Sequence, residues 1–203
     1  MITKLSEKNL IEFEDDIADE FNKGNIKAPV HLYSGNESQI IKIFKNITVN
    51  DWVFCSWRSH YQCLLKGVPQ KILKKKIIEG KSISLCFPEF KIISSAIVGG
   101  IIPIAVGTAL SLKRNNDKSI VHCFVGDMTS ETGIFYESYK YSKNFNLPIR
   151  FIIEDNGLSV CTDTKKTWGL QSLTYQNSGD PMIEYYSYKS RFPHAGAGKR
   201  VQF

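Results

Sequence analysis

The chain has 203 residues, 42% of them hydrophobic and 23% charged, which is ordinary usage for one globular domain with a real core and excludes a disordered chain. Twenty-six Lys and Arg against 20 Asp and Glu leave +6, but the basic residues are scattered apart from the run Lys71 to Lys76, so nothing supports a nucleic-acid module. No run approaches the roughly 20 apolar residues of a membrane span, and the first residues lack the apolar stretch of a secretory signal.

The first 23 residues read as an amphipathic helix, with Leu10, Phe13, Ile17 and Phe21 at helical spacing and Gly24 to end it. A second helix is expected after Ser34-Gly35-Asn36, turning Ile40, Ile43, Phe44 and Ile47 inward. Trp52 to Cys55 reads as a short buried strand. Gly67-Val68-Pro69 and Gly80 punctuate the region after that strand, and the lysine run between them suits the solvated face of a short helix. Ile97-Val98-Gly99-Gly100 leads into Ile101 to Lys113, a nearly all-round apolar segment expected to be a buried helix, with Pro103 in its first turn. Asn115-Asn116-Asp117 makes a turn. Ser119 to Val125 and Ile149 to Ile153 are apolar, β-branched runs that read as buried parallel strands, with a helix from Glu131 to Phe145 between them. After Thr164 the chain turns loop-like.

This order predicts an α/β fold, an open and mostly parallel sheet flanked by helices. The expected organisation is one domain over residues 1–165, with 166–203 a loop-rich extension of it. The five cysteines, at 55, 63, 86, 123 and 161, are odd in number and widely spaced without a CxxC pair. They read as buried thiols in a reducing cytoplasm rather than as a disulfide framework or a zinc site.

The chemistry lies in the βαβ unit. Asp127 and Asn156 each follow the end of a predicted strand, 29 positions apart. If the strands are adjacent and parallel, both emerge at the sheet edge where open α/β sheets bind ligands. A carboxylate and an amide oxygen make a sparse hard-oxygen site of the kind Mg²⁺ uses with phosphate oxygens. The N–H groups of a helix opening at Thr129-Ser130-Glu131 would favour a phosphate there. Taken singly, a Gly-Asp or an Asp-Asn-Gly is an ordinary turn. The pair, each member just after a strand, points to a metal–diphosphate site.

Gly126-Asp127, 28 residues and then Asn156 resembles the thiamine-diphosphate motif, and the chain resembles the α subunits of 2-oxo acid dehydrogenase E1 components. Trp57-Arg58-Ser59-His60 is similar to their Tyr-Arg-x-His segment. Ile97 to Pro103 is similar to their Ile-Val-Gly-x-x-x-Pro segment, and Phe135-Tyr136-Glu137 to their Ile-Phe-Glu. Leu147-Pro148 and Glu154-Asp155-Asn156 fall where that family has Leu-Pro and Glu-Asn-Asn. His31 to Glu37 is similar to its early His-x-x-x-Gly-x-Glu stretch. The likeness covers roughly residues 10 to 165.

The resemblance implies that Asp127, the Asn156 side chain and the Leu158 carbonyl hold Mg²⁺. It implies that Arg58, the Met128 and Thr129 amides after Gly126, and Trp57 meet the diphosphate of thiamine diphosphate. The Val98 backbone would contact the aminopyrimidine, and His60, as the catalytic candidate, would face the reacting thiazolium. It also implies a β-type subunit carrying the pyrimidine-binding domain, in an α2β2 assembly or a homo-oligomer. The substrate would be a 2-oxo acid or a ketose, whose acyl or aldehyde fragment passes to an acceptor. Two other readings stay open: transketolase-like ketol transfer by a split enzyme, and a non-catalytic scaffolding subunit.

The chain departs from the family pattern at named places. Met128 stands where the family has Gly, which only a backbone N–H requires, provided its angles are ordinary. Trp57 replaces Tyr and Leu158 replaces another Tyr. The long helical C-terminal portion and the histidine-bearing loop of a dehydrogenase α subunit are not expected here. Of the other candidates, His31 and His122 read as structural. His194 reads as either folded back over the site or carried on a flexible tail. Glu137 reads as a buried helix carboxylate capping a neighbouring element in preference to a catalytic helper.

Overall fold

The computed structural model describes residues 5–198. In chain order the elements are α1 (Glu7–Asn22), α2 (Glu37–Phe44), β1 (Trp52–Cys55), α3 (His60–Leu65), α4 (Gln70–Lys76), β2 (Cys86–Phe87) and β3 (Ile92–Ser94). Next are α5 (Ile101–Arg114), β4 (Val121–Gly126), α6 (Asp127–Ser130), α7 (Gly133–Asn144) and β5 (Ile149–Asp155). Then come β6 (Leu158–Ser159), β7 (Thr162–Asp163), α8 (Thr164–Trp168) and β8 (Ile183–Ser187). These elements form two compact units. Of the described residues, the first unit takes 5–49, 57–96 and 189–198, and the second 50–56 and 97–188.

In the first unit α1 opens on a capping box. Ser6 Oγ accepts from the Asn9 amide at 3.3 Å, and Asn9 Oδ1 accepts from the Ser6 amide at 3.0 Å. Leu10, Phe13, Ile17 and Ala18 form its buried stripe. Gly24, at φ +77°, ends it, since few other residues turn that way cheaply. α1 packs against α2 and α3. The lysine run is not wholly solvated: Lys74 of α4 reaches Asp16 at 2.8 Å and Glu20 at 3.0 Å on α1. β2 and β3 pair antiparallel.

The second unit carries the expected α/β core. Four strands lie parallel in the order β1-β4-β5-β8. β4 and β5 are buried almost throughout, as strands covered on both faces must be. Between them the helix expected from Glu131 is α7, and the short α6 precedes it. α6 starts directly at Asp127, and α7 begins anew at Gly133 because Thr132 caps it, its Oγ1 accepting from the Phe135 amide at 3.4 Å. α5 was expected to be buried all round and is buried on one face only. Ile101, Ile102, Ala105, Val106, Ala109 and Leu112 point inward, while Ile104 is 54% exposed. The stretch after Thr164, expected as loop, holds α8 and the parallel strand β8 beside β5.

Fully buried Phe135 of α7 meets Phe151 and Tyr175 edge to face, with ring centroids 5.2 and 4.9 Å away. Phe135→Ala is expected to cost about 3–5 kcal/mol. Ile104→Ala, on the outer face of α5, should stay within about 0.5 kcal/mol. Urea unfolding of the two variants measures the contrast.

Candidate functional site

The second unit brings most of the expected site residues to one rim. Gly126 pairs with Glu154 at the top of the parallel β4–β5 ladder, so Asp127 and Asn156 both leave at the C-terminal edge of the strands. α6, which Asp127 opens, packs against β6, which Leu158 opens. Asp127 is only 2% exposed. Its carboxylate accepts from the Thr164 hydroxyl of α8 at 2.5 Å. Burial pushes its carboxyl up to about 6, and the neighbouring Asp155 carboxylate adds to this against the pull of Thr164 and the Asp127 and Met128 amides.

The turn after β5 is tightly specified. Gly157 adopts φ +78°, and its amide donates to Asp155 Oδ1 at 2.7 Å. Asn156 Oδ1 accepts from the Leu158 amide at 3.1 Å, an Asx turn. Leu158 itself is half-exposed. Met128 lies in α6 with ordinary helical backbone and is not among the positive-φ residues, so its replacement of Gly costs no strain. Its Sδ accepts from the Trp168 indole N–H at 2.9 Å. The Thr129 carbonyl accepts from the Thr132 hydroxyl at 2.7 Å. Val98 is exposed, and Gly99 after it, at φ +72°, leaves a space in which a Cβ would meet Ile134 Cγ2 at 2.8 Å.

Trp57, Arg58 and His60 belong to the first unit. Arg58 donates from Nε to the Leu32 carbonyl at 3.1 Å and from Nη2 to the His194 carbonyl at 3.3 Å. Trp57 lies against the His31 and His194 rings, at 5.8 and 6.2 Å between centroids. His194 is thus folded back, its Nε2 3.2 Å from Nε2 of His31, and burial pushes the His31 imidazole down to about 3. His60 is wholly buried. Its Nδ1 meets both Glu14 carboxylate oxygens, at 3.1 and 3.0 Å, and its Nε2 meets Ser82 Oγ at 2.8 Å. Proton transfer by His60 therefore requires one of these bonds to break.

Sequence reasoning did not find Thr164, Asp155, Tyr185, Glu14 or Ser82. Two had a signal: Glu14 stands four residues after Leu10, on the buried stripe of α1, and Asp155 lies within the segment that resembles Glu-Asn-Asn. His122, read as structural, is buried with its Nε2 4.0 Å from Asp51.

The residues at the rim suit a divalent cation. Asp127, Asn156 and Leu158 supply only hard oxygens, and the buried Asp127 carboxylate, with a second carboxylate near it, lacks positive charge. Among the described residues there is no cluster of three or more His, Cys, Asp and Glu able to hold a metal. The oxygen set at this rim is of a different kind, an amide and a carbonyl beside one carboxylate.

A family model described as dehydrogenase E1 component matches residues 6–185. The chain belongs to the dehydrogenase E1 component family. It is similar to the alpha subunit of acetoin:2,6-dichlorophenolindophenol oxidoreductase from Bacillus subtilis (strain 168), 29% identical over 161 residues, 74% of this chain and 48% of that one. It is likewise similar to the pyruvate dehydrogenase E1 component subunit alpha of Porphyra purpurea, 29% identical over 165 residues, 73% of this chain and 48% of that one. The corresponding subunit of Zymomonas mobilis subsp. mobilis (strain ATCC 31821 / ZM4 / CP4) is 26% identical over 178 residues, 82% of this chain and 50% of that one. This E1 chain spans about half the length of the curated relatives it matches.

The raised Asp127 pKa has a consequence for stability. Below its ordinary value of 3.8 the carboxyl is protonated whether the chain is folded or not. Between 3.8 and about 6 the unfolded chain gives up the proton and the folded chain keeps it, so stability falls as pH rises, and above 6 the whole cost is present. In the absence of divalent cations Asp127→Asn is expected to raise stability at pH 7.5 by about 2–3 kcal/mol. That gain should vanish as pH falls through 6 towards 4. Chemical denaturation across this range measures it.

Proposed function

We propose that this E1 chain is the alpha-type, diphosphate- and Mg²⁺-binding subunit of a two-subunit thiamine-diphosphate enzyme that cleaves a 2-oxo acid and passes on its acyl or aldehyde fragment. The observation that carries the reading is the exit of Asp127 and Asn156 from adjacent parallel strands at one rim, in a chain whose family implies thiamine diphosphate. Bound there, the cofactor supplies the carbanion chemistry needed to cleave a bond next to a carbonyl.

The chain's own residues bind and orient. Asp127, Asn156 Oδ1 and the Leu158 carbonyl would hold Mg²⁺. The Met128 and Thr129 amides, with Arg58 and Trp57, would hold the diphosphate, and the Val98 backbone the aminopyrimidine. The Arg58 guanidinium, which now donates to two carbonyls, would give part of its donor set to phosphate oxygens. His60, between Glu14 and Ser82, would keep the turn after Trp57-Arg58 in place, and it reaches substrate only if that chain of bonds opens.

A β-type partner is part of the same reading. The relatives are alpha subunits by name, and Ile97, Val98 and Ile104 are apolar side chains left exposed around the start of α5. The five cysteines are all free, which suits the reducing cytoplasm in which we place the enzyme.

Calorimetry with MgCl₂ and thiamine diphosphate tests the assignment. The chain with its β-type partner should bind the cofactor, the chain alone at least about tenfold more weakly, and Asp127→Ala not measurably. Absence of binding by the wild-type pair would leave the scaffolding reading. Release of CO₂ from pyruvate, set against fragment transfer from ketose phosphates, separates 2-oxo acid cleavage from ketol transfer.

A further inference from the structure

Asn156 and Leu158 sit on a turn shaped by the residue just before it, Asp155. Asp155 ends β5 and is 7% exposed. Each of its oxygens already accepts a hydrogen bond. Oδ1 accepts from the Gly157 amide at 2.7 Å, Oδ2 from the Tyr185 hydroxyl of β8, and the carbonyl from the Tyr188 amide at 2.9 Å. The first bond closes the turn from inside. The other two tie it to the neighbouring strand, in which Ser187 lies opposite Asp155.

The residue type is telling. This chain has Asp at the position where the resembling family has the first Asn of Glu-Asn-Asn. An amide has one acceptor oxygen, whereas a carboxylate has two. Asp155 can therefore hold the Gly157 amide and the Tyr185 phenol at once. Without that double grip the turn would keep its own Asx bond, from the Leu158 amide to Asn156 Oδ1, and the backbone bonds from Thr164 to Gly157 and from Tyr188 to Asp155, and would lose both side-chain anchors.

We propose that Tyr185 and Asp155 are positioning residues for the cation: together they fix the turn from which the Asn156 side-chain oxygen and the Leu158 carbonyl are offered. This rests on the cation reading of the rim. Outer partners of this kind commonly set metal affinity by about 10–100-fold without touching the ion.

The test uses the full chain with its β-type partner, Mn²⁺ with thiamine diphosphate as probe, and the free-Mn²⁺ electron paramagnetic resonance signal as readout. Asp155→Ala should weaken Mn²⁺ binding by about tenfold or more, and Tyr185→Phe, which keeps the ring, by a few-fold. Asp155→Asn, which keeps one acceptor, should recover most of the loss seen with alanine. A residue that only supports the fold would shift the melting temperature and leave Mn²⁺ affinity alone. If Asp155→Ala does not fold, Tyr185→Phe decides. Wild-type affinity in Tyr185→Phe, or equal losses in Asp155→Asn and Asp155→Ala, overturns the proposal while the cation reading stands. Failure of the wild-type pair to bind Mn²⁺ with thiamine diphosphate removes the cation reading, and the proposal with it.

Discussion

A carboxylate sealed at the end of two parallel strands is the constraint to which the second unit answers. Asp127 loses most of its contact with water because β4 delivers it directly into α6, under Thr164. Burying an anion is costly unless something compensates it. Burial pushes its pKa up and the Asp155 carboxylate adds to this, while the Thr164 hydroxyl and the Asp127 and Met128 amides offset only part of the rise. Glu14, a deeply buried carboxylate of the first unit, is treated differently. It meets the His60 imidazole and the Tyr33 amide, so its charge has a protein partner. One chain thus gives one buried acid an imidazole and an amide as hydrogen-bond partners and leaves the other beside a second carboxylate. The second is the acid placed at the C-terminal rim of the parallel strands.

What could be read in advance was whatever local pattern determines. β4 and β5 are continuous apolar runs, and such runs have few ways to be buried other than as inner strands of a covered sheet. Asp127 and Asn156 were legible for the same reason, since their roles come from standing just beyond those runs. Thr164, Asp155 and Tyr185 were not legible, because their roles depend on which strand lies beside which. β8 is half-buried at four of its five positions, so its Ile-Glu-Tyr-Tyr-Ser carries no alternation. The Glu14–His60–Ser82 chain joins three separate segments and is invisible to any periodicity.

The split of α7 from α6 is a smaller instance of the same limit. The apolar spacing of residues 131–145 is helical throughout, and it does not register a cap. Thr132 can serve as an interior helical residue or as an N-cap. Here the short α6 starts at Asp127, and the longer helix starts anew after it. Thr132 resets the backbone to φ −87°, ψ 155° between them. The demand of the rim overrides the continuity of the pattern.

α5 makes the converse argument. Its sequence is apolar on every side, yet the chain buries only the face that packs on β1, β4, β5 and α7. An isolated domain gains nothing from Ile104 at 54% exposure or Val98 at 58%. A subunit completed by a partner gains from both, because the helix then has two faces to fill, one at folding and one at assembly. On this view the surplus of apolar residues in 97–113 and the uncompensated charge of Asp127 have one explanation. Under the proposed function each is a deficit of the free chain that a bound group would remove, a protein surface in the first case and a cation in the second.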